Sequence, residues 1–366
     1  MYHDDFLQKK LEERRAQNAF RQLRLPEGKT DFCSNDYLGM VYHDLLKGSE
    51  GNWPHGSSGS RLLAGNYALA ETTEKEIAVF HESEAALLFN SGYDANLGLL
   101  SCVPQRGDTI IYDSLAHASI RDGIRLSFAQ SFSFVHNDLD SLEKRLQQVV
   151  QSAESQVFVV TESVFSMDGD QCPLPELVAL CEKYTAHLIV DEAHATGVIG
   201  EKGEGLVQQL RLQQQVFARV HTFGKACGCH GAVVLGSVAL RDYLVNFARS
   251  FIYSTSLPPQ AVAVIRTSYR IFPGLIRERA HLLRLVQRFQ LAVLRYDKLI
   301  SHTPIQIVIV PGNEAVKELA AQLREHNLDV RPILYPTVPK GKERLRIVLH
   351  AFNTMGELDQ LIRLLR

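Results

Sequence analysis

Lys225 stands in "HTFGKACGCHGAVVLG" (221–236), between Gly224 and Ala226, with an apolar run just downstream. Surface lysines usually keep polar company. This one is set among small residues, two cysteines and a histidine, as though something must approach its backbone closely. Two further apolar runs end in reactive groups: "HLIVDEAH" (187–194) delivers Asp191 and His194, and "VFVVTES" (157–163) delivers Ser163, with Ser166 and Asp168 just beyond. A single polar residue at a strand end is ordinarily a turn former. Ligands of open α/β sheets, however, collect outside the carboxyl ends of strands, and three such ends together imply a shared site.

Three chemistries compete for these residues. "DEAH" also occurs in ATP-dependent helicases, which need a G-x-x-x-x-G-K-[ST] loop to cradle phosphates. Here Ala226 follows Lys225, Arg219 takes the place five residues before Gly224, and no other segment fits. Zinc would accept Cys227, Cys229 and His230, but C-x-C-H has no matching ligand pair elsewhere at a recognisable spacing, so no metal is expected. The third chemistry makes Lys225 a Schiff-base lysine, an amine held where partial desolvation lowers its pKa. Asp191 would then face a pyridinium nitrogen, and His117, in "DSLAHAS", would stack on the ring. Phosphate needs small residues, backbone N–H groups and hydroxyls near a helix N-terminus, which "NSGYDAN" (90–96) and Thr222 offer. Each signal is weak alone; together they converge on pyridoxal 5'-phosphate (PLP).

The elements that must position these groups follow from the hydrophobic pattern. Short apolar runs at 85–90, 109–112, 157–163, 187–194, 220–224 and 232–237 alternate with helical segments such as "DLDSLEKRLQQVVQ" and "PELVALCEKYT", which predicts an α/β fold with a mostly parallel sheet. Residues 5–24 read as an exposed amphipathic helix and "FCSNDYLGM" (32–40) as strand and turn. Residues 274–298 read as a long basic helix, and "IQIVIVPG", a helix at 313–326 and "RLRIVLHA" as a small C-terminal α+β domain. The expected organisation is an N-terminal helix and strand segment (1–45), a large α/β domain (46–272) and a small domain (273–366). Composition fits a soluble enzyme, with 366 residues, 45% hydrophobic and 22% charged. A net charge of −2 favours neither nucleic acid nor an anionic membrane, and no apolar run reaches a membrane span. The start has no apolar signal core, and six scattered cysteines are expected to be free thiols in a reducing, cytoplasmic setting.

The motifs "SNDYLG", "HASIRDGIR", "HND", "VTESVFSMDGD", "DEAHATGVIG", "TFGKA" and "YPTVPKGKERLRIVL", running from residue 34 to about 350, resemble the α-oxoamine synthases. That resemblance implies a PLP-dependent transferase of fold type I, built as a homodimer with its active sites at the subunit interface. It assigns Lys225 to the cofactor aldehyde, Asp191 to the pyridinium, His194 to the phenolic oxygen and His117 to ring stacking. Gly92, Tyr93 and Thr222 become phosphate and ring contacts, Ser166 a further cofactor contact, and Thr255 in "IYSTSLPP" a contact to the partner subunit's phosphate. Arg346 would hold the amino-acid carboxylate, with Asn35 nearby, while Arg21 and Thr337 belong with the acyl-CoA. Taken alone, Arg21 reads as a solvated helix charge, Arg346 as an exposed strand residue and Asn35 as a turn cap. The implied reaction is a decarboxylative condensation of an amino acid with an acyl thioester. The pattern leans toward L-alanine and a pimeloyl thioester in biotin assembly; glycine- or serine-using members, and a PLP-binding protein without catalysis, are the alternatives. The run Ala226-Cys227-Gly228-Cys229-His230 departs from the bulkier residue and glycine that the family tends to carry after its lysine.

Overall fold

The computed structural model describes residues 3–23, 25, 27–49, 51–149 and 155–366. They form two compact units: Asp36–Ser166 with Gln171–Arg279, and Met1–Asn35 with Met167–Asp170 and Ala280–Arg366.

The chain begins with α1 (Asp5–Ala16) and a two-residue strand, β1 (Thr30–Asp31). The helix is shorter than the 5–24 expected from its pattern. It buries no side chain, so nothing but local propensity sustains it. Asn18 then adopts a left-handed conformation (φ 53°) that ends it. Arg21 therefore lies outside the helix, and Arg24 falls outside the described residues. Residues 32–40 are turns and bends rather than a strand, because the Asp31 carboxylate accepts the N–H groups of Cys33 and Ser34 and curls the chain at once.

The unit holding Lys225 continues through α2 (Ala68–Phe80), β2 (Ala85–Phe89), α3 (Gly92–Cys102), β3 (Thr109–Asp113), α4 (Ala118–Leu126), β4 (Gln130–Phe134), α5 (Leu139–Gln148), β5 (Val157–Glu162), α6 (Leu174–Lys183), β6 (His187–Asp191), α7 (Leu206–Gln209), β7 (Ala218–Thr222) and β8 (Ala232–Gly236), closing with α8 (Val238–Phe247), α9 (Arg249–Ile252) and α10 (Pro259–Ile271). Its seven strands are ordered β2-β8-β7-β6-β5-β3-β4. Every pairing is parallel except those of β8, which runs antiparallel to both β2 and β7. The all-buried runs of β5 and β2 are what a sheet covered on both faces requires. β4, "QSFSF", is mostly exposed, as befits an edge strand. Leu99, Leu100, Ile120 and Ile124 from α3 and α4 pack on Ile110, Phe158, Val160, Ile189 and Val220 of the sheet. Each such side chain contributes about 1.5–3 kcal/mol by leaving water.

The other unit contains most of α11 (Ile276–Leu291), then β9 (Ile305–Ile309), α12 (Asn313–Glu325), β10 (Leu328–Asp329), β11 (Arg331–Ile333), β12 (Arg344–Val348) and α13 (Met355–Leu364). β11, β12 and β9 form an antiparallel sheet in that order, and β1 pairs with β10. α11 stops short of the expected 298. The Lys298 ammonium folds back on the carbonyls of Phe289, Gln290 and Ala292, taking up acceptors that a longer helix would have used internally. α13 starts with a reciprocal capping box between Thr354 and Glu357.

Candidate active site

The C-terminal ends of β5, β6 and β7 converge, and each carries polar groups. β6 ends at Asp191, which is 6% exposed. One carboxylate oxygen accepts the Ala193 N–H (2.8 Å) and the other accepts Asn96 Nδ2 (2.7 Å). Asn96, buried on α3, also donates to Ser119 Oγ at 3.0 Å, and Ser119 Oγ lies 2.8 Å from His117 Nδ1. A hydrogen-bonded chain thus runs from Asp191 through two helices to His117. It fixes the orientation of both end groups. His117 is the N-cap of α4 and keeps an exposed ring. Packing around the imidazole lowers its pKa; Asp191 opposes that shift and Lys225 adds to it.

Lys225 lies in the tight connection between β7 and β8. Phe223 N–H donates to the Gly231 carbonyl, Cys229 N–H to that of Phe223, and Gly228 N–H to that of Lys225. The connection closes because β8 turns back antiparallel, presenting the half-buried lysine at its apex. Its Nζ is 2.9 Å from His194 Nε2, and His194 Nδ1 is 2.6 Å from the Tyr37 hydroxyl. An ammonium has only donors, so it donates to Nε2; the ring proton then sits on Nδ1 and donates to the Tyr37 oxygen. The small neighbours of Lys225 now have a reason. Gly197, in the loop after His194, has φ 80°, and a β-carbon on it would lie 2.6 Å from that of Ala226. Small residues let the lysine loop and the Asp191–His194 loop close on each other.

Gly92 opens α3 beside Thr222. A β-carbon at Gly92 would lie 2.8 Å from Thr222 Cγ2, so only glycine fits. Ser91 caps the helix by accepting the Asp94 N–H. The N–H groups of Gly92 and Tyr93 lie ahead of it in the first turn, where a helix leaves donors unused and favours an anion. The Tyr93 phenol bonds to the Asp122 carboxylate, leaving its backbone as the part that faces the helix end. Ser166 is half-buried in the turn after β5. Thr255 is exposed, and its carbonyl accepts Asn90 Nδ2 at 2.8 Å. An anchored carboxylate, an amine, an exposed aromatic ring and a helix N-terminus without a β-carbon form the donor set that a phosphorylated pyridine aldehyde requires. These residues fit PLP.

Cys227 and Cys229 pack beneath this loop as free thiols, and His230 is exposed. Burial pushes both thiols up, Cys229 to about 12.

In the unit that contains β12, Arg346 Nη2 donates to Asn35 Oδ1 at 3.1 Å, and Arg21 Nη2 donates to Thr337 Oγ1 at 3.1 Å. The structure thus brings together the two pairs that the resemblance associated with the amino acid and the acyl donor. Ser34, next to Asn35, is held by His350 Nε2 at 3.1 Å.

Sequence reasoning passed over three residues: Tyr37, Asn96 and Glu162. Tyr37 lay inside a quoted motif but carried no assigned role. Asn96 is a polar residue on a helix face whose burial only tertiary packing reveals. Glu162 had a readable signal, a carboxylate closing an apolar strand like Asp191, and it is 3% exposed.

A family model described as aminotransferase class I and II matches residues 27–365. An 8-amino-7-oxononanoate synthase of Emericella nidulans is 40% identical to this chain, covering 98% of it and 94% of the relative. That of Cellvibrio japonicus is 39% identical, covering 99% and 95%. Among solved structures, a serine palmitoyltransferase of Sphingomonas wittichii superposes with a TM-score of 0.90 at 30% identity, covering 100% of this chain and 97% of that one. An 8-amino-7-oxononanoate synthase of Francisella tularensis superposes with a TM-score of 0.79 at 29% identity, covering 93% and 97%. The fold is that of a type I PLP-dependent transferase, and the chain belongs to the class I and II aminotransferase family, among its α-oxoamine synthases.

Proposed function

We propose that this chain acts as an 8-amino-7-oxononanoate synthase, joining L-alanine to a pimeloyl thioester with release of CO2 and the thiol. The observation that carries the reading is the Lys225 amine, 2.9 Å from His194 Nε2, in one site with an anchored Asp191 carboxylate and an exposed His117 ring. PLP, when bound, supplies an electron sink that acidifies the amino acid Cα–H and accepts the electrons left when CO2 departs.

The chain's own residues do the rest. Asp191 holds a proton at the pyridine nitrogen, and the Asn96 and Ala193 donors keep its carboxylate aimed. His194, steadied by Tyr37, bonds the phenolic oxygen. His117 covers the ring and excludes water from one face. The first-turn N–H groups of Gly92 and Tyr93, with the hydroxyls of Thr222 and Ser166, hold the phosphate. Lys225 would take the Cα proton as general base and later return one to the product carbon. Arg346, locked by Asn35, pairs with the amino-acid carboxylate. Arg21 and Thr337 engage the acyl donor.

A homodimer completes this reading, with Thr255 reaching the partner's phosphate. The exposed Tyr253 and Leu63 offer apolar surface for a second copy to cover. A reducing compartment such as the cytoplasm belongs to this reading, and six free cysteines, half-buried or buried, support it.

The test is thiol release by the purified PLP-loaded protein from pimeloyl-CoA with L-alanine, glycine or L-serine, beside Lys225→Ala. Turnover with L-alanine that disappears in Lys225→Ala supports the reading. Turnover only with serine and a long-chain acyl-CoA moves it to the palmitoyltransferase type, which the 0.90 superposition keeps in view. PLP binding without turnover of any pair leaves a non-catalytic binder.

A further inference from the structure

Three carboxylates sit at the C-terminal ends of adjacent strands: Asp113 on β3, Glu162 on β5 and Asp191 on β6, all buried. Glu162 and Asp191 are direct partners in the parallel register, so their side chains leave the sheet on the same face. Their donors are unequal. Asp113 has His136 Nδ1 at 2.9 Å and the N–H groups of Leu115 and Asn137 at 2.7 and 3.0 Å. Asp191 has Asn96 and the Ala193 N–H. Glu162, among the described residues, has the His117 N–H alone, at 2.6 Å. The cation acting on Glu162 is Lys225, in the β7–β8 connection, while the His136 imidazole is turned to Asp113. Two adjacent buried carboxylates cannot both stay ionised without compensation, and the one with fewer donors keeps the proton.

We infer that Glu162 is a positioning residue of this site: one carboxyl oxygen takes the His117 N–H and fixes the start of α4, while the group holds a proton, leaving Asp191 the only anion opposite the pyridine nitrogen. Burial and the Asp191 charge push the Glu162 carboxyl up to about 8, outweighing the His117 N–H and Lys225, with Asp113 acting in the same upward direction. Holding a proton there has a chemical use. A second anion beside Asp191 would compete for the pyridinium proton, and it would also pull on the lysine ammonium that must later be free to act as base.

The inference rests on the reading that the site holds PLP, but its first test does not need the cofactor. In the apoprotein at pH 7, the infrared difference between wild type and Glu162→Gln should contain the C=O band of a protonated carboxylic acid. That band should convert to carboxylate as pH rises through about 8. A carboxylate band already present at pH 7 overturns the proposal whether or not PLP binds. The second test is PLP affinity, titrated by visible absorbance. Glutamine keeps an oxygen acceptor for His117 and carries no charge, so Glu162→Gln should bind within about twofold of wild type. Glu162→Ala, which leaves the His117 N–H without its acceptor, should bind about tenfold more weakly. Equal loss in both variants overturns the positioning role. A wild type that fails to bind PLP at all overturns the cofactor reading and leaves the infrared result standing on its own.

Discussion

Tyr37 and Lys225 engage opposite nitrogens of one imidazole: the Tyr37 hydroxyl is 2.6 Å from His194 Nδ1, and Lys225 Nζ is 2.9 Å from Nε2. Tyr37 is completely buried and His194 5% exposed, so the ring has no solvent to replace a lost partner. Tyr37→Phe should leave a buried donor unsatisfied, at a cost of about 1–3 kcal/mol. It should appear as a fall in PLP affinity of about tenfold or more when apoprotein is titrated with the cofactor. Unchanged affinity would show that the Lys225 contact alone orients His194.

The close approach of Gly197 to Ala226 predicts a steric failure. Gly197→Ala adds a β-carbon 2.6 Å from a neighbour at a left-handed backbone position. Strain and overpacking together should destabilise the protein by about 2 kcal/mol or more in urea denaturation. The loop shift should also reduce PLP occupancy. Gly107, also at positive φ but with open space around it, is the control: Gly107→Ala should cost only the backbone strain.

Asn35 and Arg346 form a pair in which the amide holds the guanidinium. Asn35→Ala should raise KM for the amino acid about three- to tenfold with a smaller change in kcat, since it removes a bond that preorganises Arg346. Arg346→Lys should be worse, because an ammonium cannot reproduce the planar fork that meets a carboxylate. Steady-state kinetics with the acyl donor saturating separates the two effects. Equal KM values in both variants and wild type would place the carboxylate elsewhere.

In the unit that holds Lys225, the His81 and His221 rings lie 4.1 Å apart and tilted by 37°, both completely buried. Burial pushes both pKa values well below the ordinary imidazole range; Arg219 adds to this at each, and at His221 so does His81. Both rings are neutral in the folded protein, while in the unfolded chain they titrate near 6.5. The unfolded state therefore binds more protons below that pH, and stability falls as the solution is acidified from about 6.5. Each ring contributes a slope of up to about 1.4 kcal/mol per pH unit. Glu162 works the other way: with its pKa raised to about 8, it takes up its proton in the folded state first, and stabilises as pH falls toward the ordinary carboxyl range. The clean measurement is a difference. Urea unfolding of wild type and His221→Asn between pH 5 and 7.5 should give curves whose gap narrows toward acid, because the variant lacks one of the two acid-labile rings. Parallel curves would mean that His221 is not neutral in the fold.

What could be read from the sequence, and what could not, divides along a physical line. Asp191 and Lys225 were legible because interior strands read as continuous apolar runs, and whatever polar residue ends such a run must emerge at the rim of the sheet. Gly92 was legible as part of a small-residue helix start. Asn96 was not, because its role depends on a bond to Asp191, 95 positions away, and nothing local distinguishes it from a surface asparagine. Arg21 was misplaced in a helix because the 5–24 pattern suits one; the stop at Ala16 comes from the conformation of Asn18 and the absence of any surface for the helix to cover. The reversed direction of β8 was equally hidden. Its apolar run looks like its parallel neighbours, and only the short connection from β7, which has no room for a crossover helix, gives it away.

That reversal has a consequence for how the protein can be rebuilt. Both strands that flank Lys225 are interior to the sheet, β7 between β6 and β8, and β8 between β7 and β2. A cut or insertion in most exposed connections of a sheet frees one end and spares the rest. Here it would release two central strands at once and split β2 from the remaining four. New chain termini, inserted domains or affinity tags can be sought in the loops around edge strand β4. The turn that carries the lysine must stay closed, because the same nine residues that present the amine also stitch the two parts of the sheet together.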